Sequence, residues 1–361
     1  MFEKQVLYDI DNAHQLTKEL DQHFQSHQTD KSQDPIPSNR QSSSLNHQSI
    51  YQKSLHEPLS DFLSRPRKDF RGQLVEIGFS LISESHPSEI QSKNLRILIQ
   101  VVEALHSGSL IIDDIQDESL ERRGLPCLHR IYGVPLALNA GNWLYFWAYA
   151  QLNKLELSLE KKDQIFQLMT ETMLKAHFGQ SLDIGIRISE IPQSQVAEIC
   201  HRNIEQKSGA LMAMAICFGA IIADADSDLL KATSLFGNEM GTSLQMFDDI
   251  GNLNLECVQL KHLEDLMLRR PSWVWAYLSS RLNAAEYLQF KTAVEALPEL
   301  SQLKQWTEQQ GFHQKSSNYA VEFMTQSLSQ LKTSLRLQTE YQKNAFAQLQ
   351  LLSERIQNAY K

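Results

Sequence analysis

The sequence predicts an all-α protein, and three observations support this prediction. From Leu55 onward, apolar residues recur mainly at spacings of three and four, which is the period of one helix face. Proline is absent between Pro135 and Pro192 and again between Pro192 and Pro271, so signals that end helices are sparse. Alternating apolar and polar runs, which are typical of half-buried strands, are hard to find. We therefore expect helices throughout this part of the chain.

The two ends of the chain differ in composition. Residues 1–26 place apolar side chains on one stripe of a polar helix, and residues 26–52 are rich in Ser, Gln, Asn, His and Asp with too little apolar content to pack. We therefore expect residues 1–52 to form a partly disordered polar extension and residues 53–361 to form one helical domain. Residues 321–361 repeat Leu, Phe and Ala among polar residues, which predicts one or two long amphipathic helices.

The bulk properties exclude several classes of protein. The net charge of -9 over 361 residues provides no basic field for nucleic acid or anionic membranes. No uninterrupted apolar stretch approaches the roughly 18 residues of a membrane span, and the first residues lack an apolar signal-peptide core. The four cysteines show neither CxxC nor metal-ligand spacing. We expect free thiols and a cytoplasmic location.

Two acidic clusters dominate the functional prediction. The first, Asp113–Asp117, reads Asp-Asp-Ile-Gln-Asp, and the second, Asp248–Asn252, reads Asp-Asp-Ile-Gly-Asn. On a helix, Asp113 and Asp117 project from the same face. Carboxylates in apolar surroundings are costly unless a cation compensates them. One such cluster is most simply a solvated helix end, but two predict a site for Mg²⁺ and, through it, for a phosphate ester.

Basic and polar side chains extend the first cluster. His106 and Ser109 precede Asp113 by seven and four residues, so all three lie on one helix face. A lone histidine on a helix is usually structural, but here His106 could donate a hydrogen bond to a phosphate. Arg122 and Arg123 follow where the helix is expected to break. Such pairs are commonly solvent-exposed, yet adjacent arginines point in different directions and can bind two different anions.

Four segments, in this order, resemble the motifs of the trans-isoprenyl diphosphate synthase family. They are the first aspartate-rich region His106–Gly124, the GQxxD segment Gly179–Asp183, the K-(T/S)-G segment Gln206–Gly209 and the second aspartate-rich region Leu244–Leu253. The resemblance covers residues from about 55 to about 290. The uninterrupted first cluster and Asn252 most resemble eukaryote-type geranylgeranyl diphosphate synthases. The resemblance implies a single-domain helical bundle of the isoprenoid-synthase type around a deep central cavity.

The resemblance also implies the reaction and its participants. An allylic diphosphate ionises, isopentenyl diphosphate attacks the carbocation, and catalysis is mostly stabilisation of the separating charges by Mg²⁺ and cationic side chains. The expected Mg²⁺ ligands are Asp113, Asp117 and Asp248, supported by Asp114 and Asp249. The expected allylic diphosphate ligands are Arg122 and Lys207. The expected metal-free pocket for isopentenyl diphosphate comprises Lys68, Arg71, His106 and Arg123. The amide groups expected to face developing positive charge belong to Gln180 and Gln245.

Two further expectations concern product length and loop closure. Gly108 and Ser109 are small, so they leave a product tunnel open along the helix that carries the first acidic cluster. In the subgroup that this chain resembles, the residues that close the tunnel, its floor, match Tyr145, Phe146 and His177. All three are bulky here, which favours geranylgeranyl diphosphate as the product. After the second cluster the chain departs from the family pattern, because Arg270 stands where a lysine is usual. Lys261 is still expected to bind diphosphate. Arginine and lysine differ in shape and hydration, so closure of this loop could be altered.

Two alternatives stay open at this point. A terpene cyclase of the same fold would ionise a prenyl diphosphate without condensation, but it has no need of the isopentenyl diphosphate pocket. A non-catalytic partner subunit is the other alternative, although such subunits commonly lose an aspartate-rich motif and both are present here. The family resemblance implies a homodimer or a higher homo-oligomer. The preferred allylic primer does not follow from the sequence.

Overall fold

A computed structural model of the chain describes residues 47–67, 69–253 and 263–359, together with Lys18, Asp21 and Gln22. The expectation of a polar, partly disordered extension at residues 1–52 lies mostly outside these described residues. The boundary between residues 52 and 53 therefore stays a prediction.

Helices make up most of the described residues, which confirms the all-α prediction. The α-helices are, in chain order, α1 (His47–Tyr51), α2 (Glu57–Ser64), α3 (Phe70–Ile82), α4 (Glu89–Gln116), α5 (Leu128–Tyr132), α6 (Val134–Gln151), α7 (Leu159–Gly185), α8 (Gln193–Ile204), α9 (Ala210–Ile222), α10 (Ser227–Asn252), α11 (Glu264–Met267), α12 (Trp273–Ser279), α13 (Ala284–Glu295), α14 (Ser301–Gln310), α15 (Phe312–Ser334) and α16 (Glu340–Asn358). Helices α15 and α16 confirm the prediction of long helices near the end of the chain.

Short irregular turns interrupt this helical pattern. Single π-helical turns lie at Gln52–His56 and Glu205–Gly209, and 3₁₀ turns lie at Leu152–Lys154 and Ile188–Glu190. Side chains cap several helices in the way expected of their residue types. Asp226 accepts hydrogen bonds at the start of α10, and complete capping boxes begin α13 and α16.

A two-residue hairpin follows α4, where the sequence predicts only a helix break. Strand β1 (Glu121–Arg122) pairs antiparallel with β2 (Leu125–Pro126). The two turn residues, Arg123 and Gly124, have φ angles of 58° and 75°. Positive φ at both central residues is typical of the type I′ turn, whose twist matches that of paired strands. The hairpin therefore holds Arg123 in a left-handed conformation that is uncommon for a residue with a side chain.

The chain divides into two compact units. Unit 1 comprises Met1–Gly72 and Ile99–Leu155, and unit 2 comprises Gln73–Leu98 and Glu156–Lys361. The first acidic cluster belongs to unit 1 and the second belongs to unit 2. The expectation of a single domain around a deep central cavity stays a prediction.

Within unit 1, helices α4 and α6 approach closely at a pair of glycines. A Cβ atom on Gly108 would lie 2.8 Å from the backbone oxygen of Gly141 and 3.0 Å from the Tyr145 ring. Leu105 on α4 and Leu144 on α6 are close in sequence to these glycines, and both are fully or almost fully buried. The small residue at position 108 is therefore required by helix packing, whatever its effect on a product tunnel.

Within unit 2, α9 is the core helix. All thirteen of its residues are buried, which is expected of a helix that is apolar on every side. At Gly219 the backbone of α9 contacts α3 so closely that an added Cβ would lie 1.9 Å from the backbone oxygen of Val75 and 2.5 Å from the backbone nitrogen of Phe79. Both neighbours are backbone atoms, so neither can rotate away.

One helix among the described residues, α4, is long and apolar enough to cross a membrane by length and composition. In the protein, 72% of its most apolar 18-residue window is buried. Core helices pass the same test, so this feature is weak support for a membrane span.

We predict that Gly219→Ala lowers the free energy of unfolding by about 3 kcal/mol or more, because the new methyl group overlaps backbone atoms of α3. Gly185→Ala is the matched control, since a Cβ there meets no atom within 4 Å. Alanine in place of glycine at that helix position is expected to be neutral or stabilising by up to about 1 kcal/mol. Urea denaturation of both variants measures the difference. Equal stabilities would contradict the close approach of α3 and α9.

Candidate active site

In unit 1 the first acidic cluster is paired with Arg122. The guanidinium group of Arg122 donates from Nε to Asp114 Oδ1 at 2.8 Å, and its Nη2 lies 2.5 Å from the same oxygen. Its Nη2 also lies 3.9 Å from Asp113 Oδ2. Asp114 is 1% exposed, whereas Asp113 and Asp117 are half-buried at the end of α4. The two half-buried carboxylates are therefore better placed than Asp114 to meet a ligand from solvent.

The hairpin points Arg123 away from Arg122. The Arg123 guanidinium lies over the Phe62 ring, 5.0 Å from its centroid, and Nη1 is buried with no hydrogen-bond partner among the described residues. Burial and the nearby charge of Arg67 lower the pKa of Arg123 to about 10. The two adjacent arginines thus face different surroundings, and their binding of different anions stays a prediction.

His106 lies beside Arg71 in the same unit. Arg71 Nη1 and His106 Nε2 are 3.1 Å apart, and burial together with the positive charge of Arg71 holds the pKa of His106 well below its ordinary range. The imidazole is therefore neutral, and Arg71 donates to Nε2. This assignment puts the ring proton on Nδ1, which leaves a donor for an anion. Lys68, the fourth residue of the predicted isopentenyl diphosphate pocket, lies outside the described residues.

The three predicted floor residues have different surroundings. Tyr145 contacts Gly108, and burial and the charge of Asp113 raise the pKa of its hydroxyl. Phe146, on the next position of α6, is 75% exposed. In unit 2, His177 is exposed on α7 and its Nδ1 lies 2.8 Å from the backbone oxygen of Met173. Tyr145 thus lies near an acidic residue of the first cluster.

In unit 2 the carboxylate of Asp183 gathers three donors from distant parts of the chain. Lys207 Nζ donates to Oδ2 at 2.8 Å, Arg270 Nη1 to Oδ2 at 3.3 Å and Asn203 Nδ2 to Oδ1 at 2.9 Å. Asp183 and Arg270 are 6% and 5% exposed, so two cations share one buried carboxylate.

Lys207 reaches Asp183 from the π-helical turn Glu205–Gly209. A Cβ on Gly179 of α7 would lie 2.8 Å from the backbone nitrogen of Lys207, and one on Gly241 of α10 would lie 2.6 Å from the backbone oxygen of Ser208. The turn is therefore packed tightly between two helices. Single π turns inside helices frequently mark functional positions, and here the widened turn carries the cation. Gln180, also predicted for the site, is half-buried on α7.

The second acidic cluster separates its two carboxylates. Asp248 is half-buried, whereas Asp249 is 4% exposed and accepts two hydrogen bonds. Gln245 Nε2 donates to Oδ1 at 2.8 Å, and the backbone nitrogen of Trp273 donates to Oδ2 at 2.6 Å. Burial and the neighbouring charges of Asp265 and Asp248 raise the pKa of Asp249 well above its ordinary value. Asp249 therefore holds the start of α12, while Asp248 is the more accessible carboxylate.

The segment that carries Arg270 is tied to the rest of unit 2. The backbone oxygen of Arg269 accepts from the Ile188 nitrogen at 2.9 Å, and that of Pro271 accepts from Asn203 Nδ2 at 2.8 Å. The side chain of Arg270 is buried on Asp183. Charge at position 270 is thus present, as the sequence predicts, but it lies in a packed segment. Lys261 lies outside the described residues.

Several residues of these sites were missed by sequence reasoning. Asp183 lies inside the GQxxD segment but was assigned no role, and Asn203 and Trp273 carry no local signal. Arg67 and Glu103 also belong to the buried surroundings of Arg123 and His106 in unit 1. The GQxxD segment points to Asp183 and the basic run from Arg65 to Lys68 points to Arg67.

The oxygen donors of both acidic clusters fit Mg²⁺, which binds one or two carboxylates and completes its octahedron with water and phosphate oxygens. Asp114 Oδ2 is buried and has no hydrogen-bond partner among the described residues. Within that part of the chain, no three His, Cys, Asp or Glu side chains form a cluster that could hold a metal by themselves. The donor set therefore suits a metal that arrives with its own water and phosphate ligands.

Comparison with known proteins places these features in a family context. The model of the polyprenyl synthetase family matches residues 52–309 of the chain. A geranylgeranyl pyrophosphate synthase of Apiospora sacchari is 33% identical over 199 residues, which is 55% of each chain. One from Metarhizium anisopliae is 33% identical over 212 residues, or 58% of this chain and 59% of that protein. The chain thus spans little more than half the length of the curated relatives it matches.

Solved structures show the same fold. The crystal structure of a geranylgeranyl pyrophosphate synthase from Lactobacillus brevis has a TM-score of 0.72 and 20% sequence identity, covering 98% of this chain and 99% of that one. A geranylgeranyl pyrophosphate synthetase from Pyrococcus horikoshii has a TM-score of 0.70 and 20% identity, covering 98% of both chains. At these identities the likeness concerns the fold alone.

We predict that Asp183→Ala lowers the free energy of unfolding by about 3–5 kcal/mol, because Lys207 and Arg270 lose the buried carboxylate that they share. Glu198→Ala in the same unit is the control, since it removes an exposed ion pair with Arg202 whose contribution is below about 1 kcal/mol. Urea denaturation distinguishes the two. A loss for Asp183→Ala no larger than for the control would show that the shared carboxylate contributes little.

Proposed function

Because the chain belongs to the polyprenyl synthetase family, we propose that it is a prenyltransferase that condenses isopentenyl diphosphate with an allylic diphosphate to give geranylgeranyl diphosphate. One observation carries this proposal: both acidic clusters are present within residues 52–309, and each unit also contains a cation beside a buried carboxylate. The names of the fungal relatives support the same product.

The chain's own cations supply binding and charge stabilisation. Arg122 and Lys207 would each bind diphosphate oxygens while keeping a carboxylate partner, Asp114 and Asp183 respectively. These partners fix the positions of the cations before substrate arrives, so little ordering is required at the moment of ionisation. Arg270 adds a second positive charge beside Asp183.

Asp113, Asp117 and Asp248 would hold Mg²⁺, which when bound neutralises the diphosphate and favours its departure. The family's presumed proton acceptor is the departing pyrophosphate, so the chain needs no separate general base. The neutral imidazole of His106, with its proton on Nδ1, would donate to a diphosphate oxygen and would not remove a proton.

The basic side chains of unit 1 favour condensation over cyclisation. The positive charges of Arg71 and Arg123 both lower the pKa of His106. A cyclase acting on one prenyl diphosphate has no use for such a second basic pocket. The non-catalytic partner subunit is disfavoured because both acidic clusters are complete.

We also propose a cytoplasmic homodimer. Large apolar side chains are exposed in each unit, with Phe146 at 75% and Leu138 at 41% on α6, and Phe178 at 65% and Leu174 at 59% on α7. Exposed apolar groups of this size commonly mark a surface that binds another protein. A second copy of the chain covering them would also bury Phe146, one of the predicted floor residues.

We predict that the purified protein elongates an allylic diphosphate with isopentenyl diphosphate only when Mg²⁺ is present. Asp113→Ala and Asp248→Ala are each expected to lower the rate by on the order of 10²-fold or more, because charge on the leaving diphosphate loses its compensation. Chromatography of the products by chain length, with dimethylallyl, geranyl or farnesyl diphosphate as primer, measures both effects. Hydrocarbon or alcohol formed without isopentenyl diphosphate would instead indicate a cyclase, and no turnover would favour a partner subunit.

We predict that Tyr145→Ala shifts the product distribution to chains longer than geranylgeranyl diphosphate, because Tyr145 is the large side chain that lies near Asp113 and against Gly108. Tyr149→Ala, one turn further along α6, makes the same chemical change and is expected to leave product length unchanged. The same chromatographic assay separates the products. An unchanged distribution for Tyr145→Ala would remove Tyr145 from the floor.

A further inference from the structure

Arg67 is a buried cation whose hydrogen-bonding groups are not used by the described part of the protein. It lies between α2 and α3 in unit 1, and its side chain is 6% exposed. Its Nε and Nη1 atoms are buried and have no hydrogen-bond partner among the described residues. The carboxylate of Glu103 is 3.9 Å from Nη1, which compensates charge but is too far for a hydrogen bond.

Two neighbouring guanidinium groups share this property. Nη1 of Arg123 and Nη2 of Arg65 are also buried without a hydrogen-bond partner in the described ranges. Arg65 uses its other nitrogens to donate to Asp61 Oδ1 at 2.9 Å and to the backbone oxygen of Arg122 at 3.2 Å. Each such group left unsatisfied costs free energy, and a buried charge costs more than a neutral group. The arginines of this region therefore present several donors that no described residue accepts.

The charge of Arg67 acts on the same groups that were predicted to bind isopentenyl diphosphate. It lowers the pKa of Arg123 and contributes to lowering that of His106, so the three side chains are close in space. Like charges repel, and Glu103 is the acidic side chain that most raises the pKa of Arg123. An anion placed among these groups would relieve the repulsion and accept the unused hydrogen bonds together.

We propose that Arg67 is a further binding residue for a diphosphate group that is held in unit 1 without a metal ion, with Glu103 as the residue that positions its guanidinium. The choice of diphosphate as ligand rests on the proposed function. A diphosphate offers several acceptor oxygens, so different oxygens can accept from Nε and from Nη1, which lie on different sides of the planar Arg67 guanidinium. The Glu103 carboxylate, 3.9 Å from Nη1, attracts the Arg67 guanidinium without accepting a hydrogen bond from it.

The test measures binding of inorganic pyrophosphate by isothermal titration calorimetry in the presence of EDTA, using the full chain. Arg67→Met, which keeps the length of the side chain but removes its charge and donors, is expected to weaken binding by about 10-fold or more, since hydrogen bonds to charged groups contribute about 1.5–3 kcal/mol. Arg67→Lys keeps the charge without the fork and is expected to lose part of this affinity. The exposed Arg130 of α5 supplies the matched control, Arg130→Met, whose affinity should equal that of the parent.

Melting temperatures without ligand separate binding from a structural role. Arg67→Met relieves repulsion among the arginines but also removes the cation beside the buried Glu103 carboxylate, so its melting temperature is measured beside its pyrophosphate affinity. A lower melting temperature with unchanged pyrophosphate affinity would overturn the proposal and make Arg67 structural. Failure of the parent to bind pyrophosphate in EDTA would also overturn it. Arg67-dependent binding in a protein that shows no prenyl transfer would retain the site while rejecting the proposed function.

Discussion

Compensation of buried charge is the constraint on which both acidic regions depend. In unit 1, the almost fully buried Asp114 is matched by Arg122, which a type I′ hairpin holds in place. In unit 2, the buried Asp183 is matched by Lys207 and Arg270, which reach it from a π turn and from a packed segment. In each case an irregular backbone feature delivers the cation that the buried carboxylate requires. The departures from regular helix are therefore concentrated where charge must be placed.

Within each acidic cluster, the adjacent carboxylates have different structural roles. The buried members, Asp114 and Asp249, hold an arginine and the start of a helix, whereas Asp113 and Asp248 are half-buried. A metal with bound water and phosphate suits the more accessible members, since Mg²⁺ takes few protein ligands. In unit 1 the cation Arg122 and the accessible carboxylates thus come from one motif, whereas in unit 2 Lys207 and Arg270 come from other segments than Asp248.

The sequence predicts those parts of the structure that depend on local periodicity. Helix spacing, the break near Arg122 and the two helices at the end of the chain follow from patterns within one segment. The motif segments contain Lys207 and Asp248, and Arg270 stands in the segment that departs from the family pattern. The contacts of Asp183 with Asn203 and Arg270, and of Asp249 with Trp273, join residues 20 to 87 positions apart. No local rule predicts them. The burial of Arg67 was missed for the same reason, since a run of basic residues is usually solvated.

The hydrogen bond from Trp273 to Asp249 changes what a retained aspartate-rich motif signifies during evolution. A duplicated gene released from selection for catalysis would still be selected to keep Asp249, because the start of α12 depends on it. The accessible Asp248 would be under no such pressure and could drift first. In divergent copies of this chain, the state of position 248 would therefore record loss of activity sooner than the state of position 249.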